Sequence, residues 1–287
     1  MKRLPPPDLD AVEVFGTCVG SVLNHDLSMR FINVVDNWLT LAQDYQARAV
    51  ASELHLYQAS KWGNGDQKVI GDLTKSQFND LYSEYMVPAT RPARIYYDKL
   101  LNSAPLGKCP LCGFGQVSTL DHFMAKAYYP YFAVLPINLV PACADCNRNK
   151  ASSELTVHSQ SCHPYFEAPE IETATWLFAS VVDTSPATAT FSAMPPQHWS
   201  EKLCQRIKNH FRDLELASRF AIEAASELTA LSDYLGELGT SERIKEHLSV
   251  TAHLERLHRR NTWKAALYEA LSQSDWYQGG GYKRPVG

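Results

Sequence analysis

Two pairs of cysteines constrain the fold of this chain more than any other feature. Cys109-Pro-Leu-Cys112 and Cys143-Ala-Asp-Cys146 both have CxxC spacing, and 30 residues lie between the two pairs. Two such pairs supply four thiolates, the ligand set that a tetrahedral structural zinc ion takes in proteins. We therefore predict a structural zinc site at these four cysteines. An iron–sulfur cluster, or CxxC pairs that are redox-active or simply buried, are the alternatives.

The composition of the chain is that of an ordinary globular protein. Of its 287 residues, 45% are hydrophobic and 20% are charged, which argues against global disorder. The net charge of −4 argues against a surface that binds nucleic acid all over, but it leaves room for a local basic site.

The sequence predicts no membrane association. No stretch approaches the roughly 20 apolar residues of a membrane span, and the N-terminal "MKRLPPPDLD" lacks the apolar region of a signal peptide. We therefore expect a cytoplasmic location. There, the isolated Cys18, Cys162 and Cys204 are expected to be reduced core residues.

Hydrophobic periodicity divides the chain into three regions. Residues 1–104 place apolar side chains at helical spacing, with Thr74 as an expected N-cap. In 105–168, short apolar runs alternate with Pro, Gly and Asn, which predicts small strands and turns. Residues 169–287 are mostly helical after one or two strands, and end in an expected flexible tail, "QGGGYKRPVG". The predicted fold is mainly α with a small α+β insert, in which helical regions flank a zinc-stabilised module.

The spacer between the cysteine pairs contains polar residues that a structural zinc site does not need. A plain zinc ribbon has about 15–20 residues there, whereas this spacer also holds Asp121, His122 and Asn138. If "VSTLDHF" and "INLVPAC" are strands and "ADCNRNK" begins a helix, then Asp121 and His122 face Asn147. Carboxylate and amide oxygens suit a divalent ion such as Mg²⁺, and an imidazole can take a proton from water at neutral pH. Together they predict phosphodiester hydrolysis. In the structural alternative, Asp121 caps a turn and Asn147 hydrogen-bonds backbone groups near the zinc site.

The order Cys-x-x-Cys, Asp-His, Asn, Cys-x-x-Cys-Asn-x-x-Lys resembles that of the zinc-bearing HNH endonucleases, over about residues 105 to 166. The string "LDHFMAKAYYPYFAVLPINLVPACADCNRNKA" is similar to stand-alone bacterial HNH proteins, often associated with defence against phage. The resemblance implies a treble-clef-like ββα-metal module. It also implies a DNA endonuclease that leaves 5′-phosphate ends and acts as an anti-phage defence effector.

The family's roles, carried onto this sequence, fall on four residues. His122 would be the general base that activates water, and Asp121 and Asn147 would hold catalytic Mg²⁺ or Mn²⁺. Asn138 would orient His122 through its backbone and side chain. Lys150 is a candidate substrate contact that could equally solvate its helix. His163 is a second such candidate, with a half-buried structural histidine as the alternative.

Charge and aromatic residues are the remaining signals for a substrate. Residues 91–151 contain seven basic and three acidic residues, a net charge of +4, so the rest of the chain carries −8. Positive charge is thus concentrated where a DNA substrate would lie. The aromatic residues of "YYPYF" (Tyr128, Tyr129, Tyr131 and Phe132) could stack on bases, although a role in the small core is the favoured interpretation.

Two other functional interpretations remain open. The chain could be a non-catalytic, zinc-stabilised module that binds nucleic acid or protein. Alternatively, the extensive helical regions could dock the nuclease on a partner protein, such as an ATPase or another defence component, or on a second copy of the chain.

Overall fold

The computed structural model describes residues 1–150 and 153–283. The chain forms two compact units, Lys2–Glu167 and a second unit that begins at Ala168. About half of the chain is helical, and the described residues also form three small antiparallel sheets of two strands each. No described helix has the length and apolar content that a bilayer crossing requires.

The helices of the first unit are α1 (Ala11–Gly20), α2 (His25–Asn33), α3 (Val35–Ala51), α4 (Lys75–Ser83), α5 (Arg94–Leu101) and α6 (Ala144–Asn149). Its strands are β1 (Lys68–Ile70), β2 (Leu73–Thr74), β3 (Thr119–His122) and β4 (Leu139–Ala142). The second unit contains α7 (Glu170–Thr173), β5 (Leu177–Val182), β6 (Thr188–Ala193), α8 (Glu201–Asp213), α9 (Leu216–Leu238), α10 (Ser241–His258) and α11 (Trp263–Ser272).

Local capping signals mark the start of three N-terminal helices, α1, α2 and α4. The predicted N-cap at Thr74 is confirmed: its side chain accepts a hydrogen bond from the Gln77 amide, and the Gln77 side chain accepts one from the Thr74 amide. This reciprocal capping box satisfies two amides that the first helical turn leaves without partners. Asp10 caps α1 through the amides of Val12 and Glu13.

The segment between the cysteine pairs folds as a hairpin followed by a helix, in the order predicted. β3 pairs antiparallel with β4, so that Asp121 lies opposite Val140 and His122 opposite Leu139. The helix α6 starts directly after β4, and Cys143 is its N-cap. The Asp-His pair therefore lies on β3. The neighbouring strand, β4, leads into α6, the helix that carries Asn147.

The N-terminal helices and the cysteine-rich segment lie in one unit and share a core. Trp38 of α3 stacks on Phe15 of α1, with the ring centroids 4.3 Å apart. The indole N–H of Trp38 donates to the Tyr131 carbonyl oxygen at 2.7 Å. Tyr45, two turns further along α3, packs edge-on against Phe132. The small ββα segment, too short to bury a core alone, is thus completed by α3.

The second unit combines a β-hairpin with long helices. β5 and β6 pair in register from Leu177 opposite Ala193 to Val182 opposite Thr188. The sequence predicted one or two strands in this region, and the structure contains two. The side chain of the buried Asn261 accepts from the amides of Trp176 and Leu177.

The expected flexible tail is wrong for residues 278–281, which belong to a π-helical turn, Tyr277–Gly281. Tyr277 is only 1% exposed, and Gln278 donates to the Ser272 carbonyl at 2.8 Å. Burial of these side chains overrides the glycine-rich sequence. Residues 284–287 of the expected tail lie outside the described residues.

Replacing Trp38 by Phe should weaken the first unit measurably. The ring contact with Phe15 is kept, but the buried carbonyl of Tyr131 loses its donor, which costs about 1–3 kcal/mol in free energy of unfolding. Denaturant titration followed by circular dichroism measures the change. Trp62→Phe is the matched control, because Trp62 is exposed and its exchange should leave stability within about 0.5 kcal/mol. Equal stabilities of the two variants would contradict the prediction.

Candidate functional site

The four predicted cysteines form a buried cluster that could hold a structural metal ion such as zinc. The Sγ atoms of Cys109, Cys112, Cys143 and Cys146 all lie within 4.8 Å of one another. Cys112 Sγ and Cys143 Sγ are 3.9 Å apart. Zn–S bonds of about 2.3 Å at tetrahedral angles place sulfur atoms about 3.8 Å apart, so the cluster fits zinc without rearrangement.

Backbone amides support this cluster. Gly115 N–H donates to Cys112 Sγ at 3.3 Å, and Cys146 N–H donates to Cys143 Sγ at 3.4 Å. Such donors favour the charged thiolate that binds metal. Hydrogen bonding to Cys109 is the main cause that lowers the pKa of Cys112 and of Cys143, whereas hydrogen bonds within the cluster raise the pKa of Cys109 and of Cys146. Two of the four thiols therefore lose their protons most readily, and a bound cation would be needed to hold all four as thiolates.

The three isolated cysteines do not join this cluster. Cys18 and Cys162 are fully buried, and Cys204 is half-buried. Burial raises the pKa of Cys18 to about 12, so it remains a neutral thiol among apolar side chains.

Next to the cluster, a pocket of about 300 Å³ brings the predicted polar residues together. Asp121, His122, Asn147 and Lys150 all line it. The first two come from the end of β3, and Asn147 comes from α6, directly after the cluster residue Cys146. The other lining residues are Tyr82, Thr119, Leu120, Ala125, Lys126 and Ala127.

The imidazole of His122 has a defined tautomer. Its Nε2 lies 2.9 Å from the Ala133 carbonyl oxygen, which can only accept, so Nε2 carries the proton and Nδ1 keeps its lone pair. Desolvation, together with Lys126 and Lys150, lowers the pKa of His122 to about 3, against the opposing effect of the Ala133 hydrogen bond. His122 is therefore neutral at physiological pH, with an unprotonated Nδ1 that is a weak base in the unliganded protein.

Lys150 is held by the protein rather than directed at solvent. Its Nζ donates to Asp121 Oδ2 at 2.7 Å and to the carbonyl oxygens of His122 and Phe123 at 2.7 and 2.8 Å. These three acceptors match the three ammonium hydrogens. The expected phosphate contact of Lys150 therefore competes with a complete set of internal partners.

Two other predicted site residues lie behind the pocket wall. Asn138 is fully buried; its side chain accepts from the Met124 amide at 2.7 Å and the Tyr45 hydroxyl at 2.9 Å, and donates to the Phe132 carbonyl at 3.1 Å. These bonds connect the loop after His122 to α3. Asn138 is not among the described residues that line the pocket.

His163 is buried as well, which favours the alternative of a structural histidine over that of a substrate contact. Its ring lies against Phe123, with centroids 4.0 Å apart, and only 3% of the residue is exposed. Nδ1 accepts from the Tyr165 amide, so Nε2–H faces the Tyr45 hydroxyl at 3.2 Å. Tyr165 and Phe166, in the aromatic stretch that follows, also contact the His163 ring, with centroids 5.6 and 4.9 Å away.

Two residues that line the pocket, Tyr82 and Lys126, belong to no sequence motif that would identify them as site residues. Tyr82 comes from α4, and its ring meets the His122 imidazole edge-on, with the centroids 4.4 Å apart. Lys126 lies over the Tyr82 ring, 5.1 Å from its centroid. Long-range packing places Tyr82 here, so only the tertiary structure reveals it. The local concentration of basic residues was the one signal for Lys126.

The positive charge of residues 91–151 is partly neutralised within the protein. The three acidic side chains each pair with a basic one: Asp98 with Arg94, Asp121 with Lys150, and Asp145 with Arg148. The net charge of +4 therefore corresponds to Arg91, Lys99, Lys108 and Lys126. Among these four, Lys126 is the one that lines the pocket.

Comparisons with known proteins do not identify an activity for this site. No family model matches the chain, and no solved structure matches it. The chain is 29% identical over 299 residues to the protein ea31 of Escherichia phage lambda, a match that covers 97% of this chain and 100% of that protein. The similarity thus extends over both units, and the name of the relative states no activity.

Gly115→Ala should disturb the cysteine cluster sterically. A Cβ at Gly115 would lie 2.8 Å from Cys143 Sγ and 3.3 Å from Cys112 Sγ, so the thiolates would have to move. We expect less than one zinc per chain by elemental analysis and a lower melting temperature. Gly16→Ala is the control, because a Cβ there meets nothing within 4 Å and a helical Gly→Ala exchange stabilises by about 0.5–1 kcal/mol. Full zinc content in Gly115→Ala would contradict this view of the cluster.

Lys150→Met should destabilise the protein through Asp121. The exchange leaves a carboxylate that is only 8% exposed without its ion-pair partner, at a cost of about 3–5 kcal/mol. Denaturant unfolding of Lys150→Met, Asp121→Asn and the double variant measures the coupling. We expect the double variant to recover part of the loss. The exposed pair of Arg148 and Asp145, 3.9 Å apart, is the control, and Arg148→Met should have little effect. Additive losses in the double variant would show that the two residues do not act as a pair.

Proposed function

We propose that this chain is a metal-dependent HNH endonuclease that hydrolyses DNA phosphodiester bonds. The observation that supports this most strongly is the convergence of Asp121, His122 and Asn147 on one pocket. They do so in a β-hairpin followed by a helix whose N-cap and first turn each carry one cysteine of the cluster that could hold a metal ion. A proton acceptor, hard oxygen ligands and nearby lysines are the groups that phosphodiester hydrolysis requires.

His122 would act as the general base. Its Nδ1 would take a proton from a water molecule, whose oxygen attacks phosphorus as the bond to the 3′-oxygen breaks, leaving a 5′-phosphate end. The hydrogen bond from Nε2 to the Ala133 carbonyl would hold the ring and favour its protonated form. Negative charge on a bound phosphate would offset Lys126 and Lys150, so that proton uptake becomes easier once substrate is present.

Asp121 and Asn147 would hold the catalytic ion. Carboxylate and amide oxygens fit Mg²⁺ or Mn²⁺, and a carboxylate has two oxygens, so the contact of Lys150 with Oδ2 does not exhaust Asp121. When bound, a divalent ion would neutralise developing charge on the phosphate and the leaving 3′-oxygen. Asn138, which hydrogen-bonds the Met124 amide, would position the loop that follows His122.

Loss of the His122 side chain should abolish cleavage while leaving the fold intact. We expect His122→Ala to cleave supercoiled plasmid about 10²–10⁴-fold more slowly than the natural chain with Mg²⁺ or Mn²⁺, because general-base catalysis contributes about that factor. Asp121→Ala and Asn147→Ala should also lose activity. His25→Ala is the matched control, because His25 is an exposed residue of α2. Zinc content should be the same in His122→Ala and in the control.

Equal cleavage by the natural chain and His122→Ala, with unchanged zinc, would remove the nuclease proposal. A binding assay on the same variants separates it from a non-catalytic binding module. That module would bind nucleic acid without Asp121, His122 and Asn147 but would fail with Cys109→Ser. The pocket favours catalysis, because a module that only binds has no need of the neutral imidazole beside the carboxylate.

The anti-phage defence role and the partner protein stay predictions. Similarity to a protein of phage lambda does not by itself favour defence against phage. One observation supports docking on an ATPase, another defence component or a second copy: Val250, Leu254 and Leu257 of α10 are 53%, 50% and 68% exposed. These positions share one helix face. Light scattering tests this docking. It is measured on the purified chain alone and on the chain co-expressed with the products of the genes next to its own.

A further inference from the structure

Trp62 and Tyr128 form an aromatic pair that has no role in the hydrolysis proposed for the pocket. Trp62 is 64% exposed, the most exposed of the six tryptophans in the chain. The Tyr128 ring lies beside it, with centroids 5.5 Å apart and planes tilted by 34°. Tyr128 thus supports the indole from one side, and a large part of the ring surface faces solvent.

The pair lies at the edge of the pocket. Tyr128 directly follows Ala127, and Ala127 and Lys126 both belong to the pocket wall. The Ser60 amide donates to the Tyr128 carbonyl at 2.7 Å, which ties the segment carrying Trp62 to this wall. Trp62 thus contacts the residue that directly follows this wall in the chain.

Backbone hydrogen bonds hold the Trp62 segment in place. The amide of Lys61 donates to Gln67 Oε1 at 2.7 Å, and the carbonyl of Lys61 accepts from Lys75 Nζ at 2.7 Å. The Ser76 amide donates to the Gly65 carbonyl at 2.9 Å. An exposed indole on a fixed backbone loses little conformational freedom on binding, which favours recognition.

The surroundings of the indole fit a nucleobase better than a protein surface. Residues 61–68 (KWGNGDQK) contain no second large apolar residue, whereas protein interfaces have an apolar core around their aromatic anchors. Lys61 is exposed beside the indole, and Lys126 lies in the pocket wall. An exposed aromatic surface with one lysine next to it in the chain and a second lysine in the nearby pocket wall suits a base and its flanking phosphate.

We propose that Trp62, supported by Tyr128, stacks on an unpaired nucleobase next to the phosphate held in the pocket. This inference rests on the proposed nuclease function and names its substrate class. A base inside a duplex is stacked on its neighbours and cannot offer its face to an indole. The preferred substrate is therefore single-stranded nucleic acid, or a duplex with an unpaired or flipped nucleotide.

An abasic strand tests the stacking contact directly. Fluorescence anisotropy without added Mg²⁺ or Mn²⁺ gives the Kd of the full chain for labelled oligothymidylate and for an abasic oligomer of equal length and charge. The natural chain should bind the base-containing strand about 5- to 100-fold more tightly, the range expected for stacking on one base. In Trp62→Ala that ratio should fall toward one, and Trp62→Phe should keep most of it.

Matched measurements separate stacking from other causes. Leu23→Ala also removes an exposed apolar side chain, one that is 88% exposed, and it should keep the ratio of the natural chain. Binding to a blunt duplex should change less than twofold in Trp62→Ala. Zinc content and melting temperature report whether Trp62→Ala folds, and a deoxyuridine and a uridine strand compare DNA with RNA.

The outcomes distinguish this inference from the proposed function. If the natural chain cleaves DNA with a divalent ion but the base-to-abasic ratio is the same in Trp62→Ala, the stacking inference is wrong and the nuclease stands. If Trp62→Ala binds both strands normally and instead loses association with a protein, the indole is a protein-docking residue and the inference is also wrong. If the natural chain neither binds nor cleaves nucleic acid, the proposed function fails as well.

Discussion

The position of α6 depends on the four-cysteine cluster. Cys143 caps the helix and Cys146 lies in its first turn, while Cys109 and Cys112 come from a separate turn more than 30 residues earlier. A helix of six residues has little stability of its own, and a metal ion bound by the four cysteines would hold it in place. Asn147 follows Cys146 immediately, and its place in the pocket therefore depends on the cluster.

The electrostatics of the pocket depend on a second close contact, that of Lys150 with Asp121. The ammonium group compensates a carboxylate that would otherwise be costly to bury, and it also contacts the carbonyl oxygen of His122. Burial is the main cause of the lowered pKa of His122, and the positive charges of Lys126 and Lys150 lower it further. The lysine thus connects three properties of the site: the ionised carboxylate, the neutral imidazole and the end of α6.

The helical N-terminal region supplies what the ββα segment is too small to provide. Trp38 and Tyr45 of α3 hydrogen-bond to the loop between β3 and β4, and Tyr82 of α4 forms part of the pocket wall. The proposed base-stacking residue Trp62 also comes from this region. These helices are therefore part of the candidate site and not only a means of attachment to a partner.

Much of the local structure could be predicted from the sequence, because its causes are local. CxxC spacing identified the four residues of the cluster, the expected N-cap at Thr74 marked the start of α4, and short apolar runs indicated β3 and β4. The convergence of Asp121, His122 and Asn147 was predictable once a hairpin and a helix were assumed. The pairing of Lys150, the burial of His163 and the folded turn at Tyr277 were not.

Those features depend on contacts between residues far apart in the chain. Whether a histidine is a ligand, a base or a buried ring is decided by what packs around it, and here Tyr45 and Phe123 surround His163. The placement of Tyr82 and Trp62 beside the pocket has the same origin. The sequence by itself determined which groups could bind metal and accept a proton, because spacing and side-chain chemistry are local properties. Only the tertiary structure decided which of them reach the pocket, because burial and hydrogen-bond partners arise when distant segments pack together.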